Sequence, residues 1–268
     1  MKNLKERYGD TALITGASAG IGQAFAETLA EQQFNLVLVA RRGERLEAMK
    51  RALEDRQDIR VLPLACDLAE AGAAGRIATE VSQAGMEISL LINNAGFGSH
   101  GEFDRLDLRR ETAMADLNCR SVLEMTHAFL PGMKARRRGG IIIVGSVLSL
   151  LPGPYMATYT ASKAFDLSFA ESLHGECKPH HVDVLGLLPG TTQTEFFAVG
   201  NMRRRYVQKG ATPEHVVRTA LAALGKKPYV VDSLGNKFLV FCSHFLPRRW
   251  LIALSRLALR PAPDDHGS

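Results

Sequence analysis

Short apolar runs alternate with longer amphipathic stretches along most of this chain. Thr11–Thr15, Asn35–Ala40, Ile59–Ala65, Ser89–Asn93, Gly140–Ser146 and Val182–Leu188 are each bounded by polar residues or glycine. Strands buried on both faces have that pattern. Between them lie helix-length segments rich in Ala, Glu, Arg and Leu, the first of them Gln23–Gln32. The alternation predicts an α/β fold with a doubly wound parallel sheet, and ligands at the carboxyl ends of its strands.

Candidate chemistry falls at those ends. Gly16, Gly20 and Gly22, in T-G-A-S-A-G-I-G, separate the first strand from the first helix. A strand, a glycine turn and a helix present backbone N–H groups and a helix N-terminus to a pyrophosphate. Tyr159 and Lys163 lie four residues apart in Y-T-A-S-K, on one helix face, with Ser146 thirteen residues before the tyrosine. An ammonium beside a phenol stabilises the phenolate and is expected to lower the tyrosine pKa, making it a proton donor and acceptor near neutral pH. A lone Y-x-x-x-K is common in helices, but its conjunction with the glycine turn, N-N-A-G and the serine is specific.

Gly16-Ala17-Ser18-Ala19-Gly20 also matches G-x-S-x-G, the nucleophile elbow of serine hydrolases. Position argues against that reading. Ser18 follows the first strand, so no earlier strand supplies an oxyanion loop, and the tyrosine–lysine pair goes unexplained. Hydrolysis through Ser18 stays a distant alternative.

Taken together, the motifs resemble those of the classical short-chain dehydrogenases/reductases. The matches are Thr15–Gly22, Cys66–Leu68 (C-D-L), Asn93–Gly96 (N-N-A-G), Asn118, Ser146, Tyr159–Lys163 and Pro189–Thr194 (P-G-T-T-Q-T), in the family's order over most of the chain. The resemblance implies a single Rossmann-like domain, a nicotinamide cofactor and a catalytic set of Asn118, Ser146, Tyr159 and Lys163. It places Gly16, Ser18, Gly20, Ile21, Gly22, Asp67, Leu68, Asn94, Ala95, Gly96, Pro189, Gly190, Thr192 and Thr194 against the cofactor, together with Tyr159 and Lys163. By the same likeness Asp67 accepts from the adenine amino group, and Asn118 holds a water in a proton relay. As plain structure, Asp67 reads as a helix N-cap and Asn118 as a buried residue in mid-helix.

Charge selects the coenzyme. An acidic residue after the second strand would bind the ribose 2′-hydroxyl of NAD, whereas arginine accommodates a 2′-phosphate. Arg41 and Arg42 stand there without a carboxylate, so NADP(H) is expected, with Arg41 leading and Arg42 assisting. The implied activity is reduction of a ketone, or oxidation of the alcohol. Ser146 polarises the carbonyl and Tyr159 donates the proton. A regulator that only binds nicotinamide is the other alternative, and the intact tetrad argues against it.

Substrate-facing positions are expected at Ser146, Leu148, Tyr155, Phe196 and Phe197, with Leu150, Leu151, Val199 and Met202 adding apolar surface. That lining suits a bulky ketone: 3-oxoacyl, steroid-like or aromatic. Tyr155 reads as a pocket wall at the start of the tyrosine helix.

Composition narrows the rest. The 268 residues carry a net charge of +5, too mild to argue for nucleic acid without a basic patch interleaved with aromatics. Cys66, Cys119, Cys177 and Cys242 are scattered, without metal-ligand spacing, and read as reduced thiols of a cytoplasmic protein. No apolar leader follows Met1. A homodimer or homotetramer is expected.

The chain divides into a catalytic body, 1–236, with a substrate loop at 191–212, and a C-terminal helical extension and tail, 237–268. The apolar run after Lys237 is broken by Ser243, His244, Pro247, Arg248 and Arg249, so it does not read as a transmembrane helix. From Trp250 to Arg260, Trp250, Leu254, Leu257 and Ala258 share a face flanked by Arg256 and Arg260. That face is expected to cover the substrate pocket or build a subunit contact, with peripheral membrane contact through 237–260 as the alternative.

Overall fold

A computed structural model of the chain describes residues 4–195, 210–243 and 245–261. Seven parallel strands form one sheet in the order β3-β2-β1-β4-β5-β6-β7. They are β1 Thr11–Thr15, β2 Asn35–Ala40, β3 Val61–Ala65, β4 Leu90–Asn93, β5 Gly139–Val144, β6 Val182–Leu188 and β7 Tyr229–Val231. This is the Rossmann-like doubly wound arrangement. The order reverses between β1 and β4, and the crevice for a dinucleotide opens there. Leu13 of β1 lies between Val37 of β2 and Leu91 of β4 in register.

Helices cover both sheet faces. One face carries α1 Leu4–Tyr8, α2 Gly20–Glu31 and α3 Gly43–Glu54, with α8 Pro213–Ala223 packed on α2. The other carries α4 Ala73–Gln83, α6 Ser121–Arg136 and α7 Ala157–Cys177, with α5 Leu108–Ala115 leading into α6. Successive strand residues feed the two layers alternately: Ile14 packs on the α2 side and Leu13 on the α4 side. Truncating either of these fully buried side chains to alanine costs about 2–5 kcal/mol.

Details of the helices and of the last strand differ from the expected pattern. The helix containing Asn118 is not continuous: Asp116–Arg120 forms a π turn between α5 and α6. Tyr155 does not begin the tyrosine helix. It adopts a left-handed conformation, φ +67°, in the turn before Ala157. The strand β7 escaped prediction because only Tyr229, Val230 and Val231 form it. Position 236/237 lies within α9, Leu234–Ser243.

The extension continues as α10, Arg248–Ala258. Its buried residue is Leu251, whereas Trp250, Leu254 and Leu257 are 55%, 54% and 76% exposed. That face does not cover the pocket within one chain, which leaves the subunit and membrane contacts as its expected uses. What reaches the body is the end of the helix: His100 Nε2 meets the Leu259 carbonyl oxygen at 2.7 Å, and the Leu259 side chain packs on Met114, Met156 and Tyr159. No helix among the described residues is long and apolar enough to cross a membrane.

Candidate active site

The glycine turn is shaped by contacts that side chains would obstruct. Gly16 has φ +64°, and a Cβ there would lie 2.9 Å from the Ala95 Cα. A Cβ on Gly22 would collide with the Gly16 carbonyl oxygen. The N-cap of α2, Ala19, offers no side-chain acceptor, leaving the first-turn N–H groups for an anion. Ile21 and Gly22 lie in that first turn.

Thr15 and Asn94 fasten this turn to the N-N-A-G turn after β4. The Thr15 hydroxyl accepts from Asn94 N at 2.9 Å and Ala95 N at 3.0 Å, while Asn94 Nδ2 donates to Thr15 O at 2.9 Å. Gly96 then passes close to the catalytic side chains: a Cβ there would sit 2.9 Å from Asn118 Oδ1 and 3.5 Å from Lys163 Nζ. Asn118 is fully buried. Its Nδ2 donates to Phe97 O and to Ser162 Oγ, both at 3.0 Å, and its Oδ1 accepts from Phe97 N at 3.2 Å. The π turn thus presents Asn118 as a strut between the N-N-A-G loop and α7.

Ser146 stands just beyond β5 with an extended backbone, and its Oγ accepts from Leu148 N at 3.2 Å. Ser149, the competing serine, serves Ser146 instead, its Oγ accepting from Ser146 N at 3.2 Å. Tyr159 and Lys163 project from the first two turns of α7, and Tyr159 hydrogen-bonds Ser146. Leu148 packs beside Tyr159 with Met114 and Met156. Tyr155 lies next to His100, ring centroids 6.4 Å apart. Phe196, Phe197, Val199 and Met202 lie outside the described residues.

Electrostatics modify the expectation for the tyrosine. Burial pushes the Tyr159 hydroxyl up from its ordinary value, and Lys163 and Ser146 pull it back without cancelling the rise. The neighbouring ammonium alone does not bring the phenol near neutrality. Lys163, equally buried, donates to Val144 O at 2.8 Å and Asp166 Oδ2 at 2.9 Å. Burial lowers the lysine, but Asp166 and Tyr159 outweigh it and the net direction is up.

Arg42, rather than Arg41, converges on the glycine turn. Its Nε and Nη2 donate to Ser18 Oγ at 3.1 and 3.0 Å, and its Nη1 to Glu195 Oε2 at 2.8 Å. Arg45, one turn further along α3, reaches Glu195 Oε1 at 3.0 Å. Arg41 is largely exposed and leans on Asp67, 3.9 Å away. The Glu195 carboxylate is an anion held by two guanidinium groups beside Ser18, and they keep its pKa below the usual carboxylate range. A 2′-phosphate would be recognised by that same chemistry. The cradle therefore fits NADP(H). Ser18 accepts from a guanidinium there, whereas a nucleophile would need a base to take its proton.

The remaining positions fill in the cleft. Asp67 caps a turn, not a helix, its Oδ1 accepting from Ala69 N at 3.0 Å, because α4 starts only at Ala73. Leu68 is buried in the α4 layer. Pro189 O accepts from Val147 N at 3.0 Å, joining the cofactor turn to the segment after Ser146. Gly190 N donates to Asp232 Oδ1 at 3.1 Å, and that oxygen also accepts from Asn236 Nδ2 at 2.8 Å. Thr192 is buried and donates to Gly190 O at 3.2 Å, while Thr194 lies against Gly20.

Sequence reasoning missed Arg45, Asp166, Glu195 and Asp232, and it placed Thr15 in the motif without its fastening role. Arg45 and Asp166 had a readable signal, each lying three residues beyond a predicted site residue on the same helix. Asp232 follows the strand that was too short to see.

A family model described as short chain dehydrogenase matches residues 10–204. A 7β-hydroxysteroid dehydrogenase of Clostridium sardiniense is 31% identical over 239 residues, covering 88% of this chain and 90% of its own. A very-long-chain 3-oxoacyl-CoA reductase of Podospora anserina is 33% identical over 249 residues, 92% of this chain and 71% of its own. A solved short-chain dehydrogenase from Sphingobium yanoikuyae, in complex with NADPH, superposes with a TM-score of 0.77 at 27% identity, covering 96% of this chain and 100% of its own.

Proposed function

This chain belongs to the short-chain dehydrogenases, oxidoreductases of alcohol and ketone groups, and we propose that within the family it is an NADP(H)-dependent reductase of bulky apolar ketones. The observation that carries the reading is the convergence of Ser146, Tyr159 and Lys163 in one buried cluster at the end of β5. The glycine turn, Asn94–Gly96 and Pro189–Thr194 would hold the coenzyme along the crevice. Arg42 and Arg45, with Ser18, would grip the 2′-phosphate that Glu195 now mimics, and Arg41 would flank it beside Asp67.

When bound, the reduced nicotinamide supplies hydride. Ser146 donates to the ketone oxygen and fixes its orientation. Tyr159 gives its proton to the oxygen as negative charge develops there, and burial keeps that proton in place until it is needed. Two of the three ammonium protons of Lys163 are engaged by Val144 and Asp166, which leaves one for a ribose hydroxyl. Asn118 keeps the loop and α7 in register.

The substrate class rests on the lining. Leu148 and Leu259 give the apolar surface beside Tyr159, backed by the buried Met114 and Met156. Acyl and steroid ketones fit that surface, and the names of the two relatives point to the same classes. Leu259 makes the extension a cap on the site, and the outward face of α10 is where a second subunit would pack. A homo-oligomer follows from this reading. The deciding assay follows NADPH absorbance with 3-oxoacyl, steroid and aromatic ketones in turn. NADPH binding without turnover of any of them would favour a nicotinamide-binding regulator. Ester cleavage abolished by Ser18→Ala would favour a hydrolase.

A further inference from the structure

We propose that Asp166 is the buried counter-ion that fixes the Lys163 ammonium beside Tyr159, a positioning residue built into the same helix one turn on. The inference rests on the proposed catalytic pair and adds a member to it. Asp166 is 1% exposed, its Oδ2 receives Lys163 Nζ at 2.9 Å, and its Oδ1 has no hydrogen-bond partner. A carboxylate buried with one oxygen unpaired is costly unless a charge compensates it. Among the described residues, the only basic group in contact with it is Lys163. Burial raises the Asp166 carboxyl, and the lysine pulls it back.

The pair faces few other titratable groups. Tyr159 comes from α7 and Cys119 from the π turn, its thiol pushed up to about 11 by burial first and Asp166 second. Among the described residues, Asn118, Ser162 and the Val144 carbonyl also lie there and carry no charge. With Lys163 protonated and Asp166 ionised, the cluster is neutral. Without Asp166, an uncompensated ammonium would sit where water does not reach, a condition that drives buried lysines to lose their proton.

Tyr159 and Lys163 titrate as a coupled pair. Removing a buried anion makes proton loss easier from whichever of the two releases it. Asp166→Asn keeps the shape and removes the charge. In the full-length enzyme, the alkaline limb of kcat/KM for ketone reduction should then move about one pH unit or more to lower pH. A side chain that only fills space would lower the plateau and leave the limb in place, and an unmoved limb overturns the proposal.

A second measurement needs no turnover. Thermal melting of Asp166→Asn, Lys163→Met and the double variant should show the double variant melting above either single one, because each single change strands a buried charge. Losses that simply add would contradict the pairing. An inactive wild-type protein would remove the oxidoreductase reading, while the melting cycle would still decide the role of Asp166.

Discussion

The catalytic centre and the C-terminal extension treat their side chains in opposite ways. Around Tyr159 the catalytic side chains are interior and partnered: Asn118 makes three hydrogen bonds, Lys163 two, and Ser146 is tied to Leu148 and Tyr159. In the extension the apolar groups lie outside. Phe238, Phe241 and Phe245 are exposed with Trp250, Leu254 and Leu257, and Lys237, Arg248, Arg249, Arg256 and Arg260 are interspersed without an acidic residue between 234 and 261. A centre that must present one proton at one angle is fixed by its own chain. A surface of large apolar groups is complete only with something laid on it. Leu259 is where the two regimes meet.

Breaking the centre should have the larger consequences. Tyr159→Phe removes the proton donor and little else, so ketone reduction should fall on the order of 10²–10⁴-fold while NADPH affinity, read by fluorescence titration, stays within a few-fold. Arg42→Gln with Arg45→Gln should weaken NADPH by roughly 1.5–3 kcal/mol for each charge-assisted bond lost, with NADH scarcely affected. Arg41→Gln should cost less than either, since its guanidinium does not reach Ser18 or Glu195. Equal losses for both coenzymes would show that the cradle does not read the phosphate.

The same contrast explains what could be read from the sequence. The six longer strands were legible because two-sided burial demands continuous apolar runs, and the glycine turn because its φ values and close contacts exclude side chains. Tyr159, Lys163 and Ser146 were legible from spacing along one helix and one strand end. Arg45 and Glu195 were not combined, because their meeting depends on how the segment after Pro189 folds back over α3. The π turn at Asn118 has no propensity signature. What covers the apolar face of α10 was not legible, because an amphipathic pattern gives a face but not its partner.

Smaller effects test the border between the regions. Glu195→Gln should release Arg42 and Arg45 and tighten NADPH a few-fold without changing NADH, since an exposed ion pair contributes about 0–1 kcal/mol. Ending the chain after Lys237 removes the Leu259 cap and the apolar face together. The Michaelis constant for bulky ketones should rise, and light scattering should report a smaller particle. Unchanged kinetics and mass, with the full-length protein sedimenting on anionic vesicles, would assign that face to a membrane surface instead.

The most direct test follows NADPH absorbance while the purified full-length protein meets a panel of 3-oxoacyl, steroid and aromatic ketones, with Tyr159→Phe alongside. The site geometry predicts coenzyme oxidation with at least one bulky ketone, faster with NADPH than with NADH, and abolished in the Tyr159 variant. Turnover that survives in Tyr159→Phe within a few-fold of wild type would contradict the assignment of the proton donor, and with it the reading of the centre.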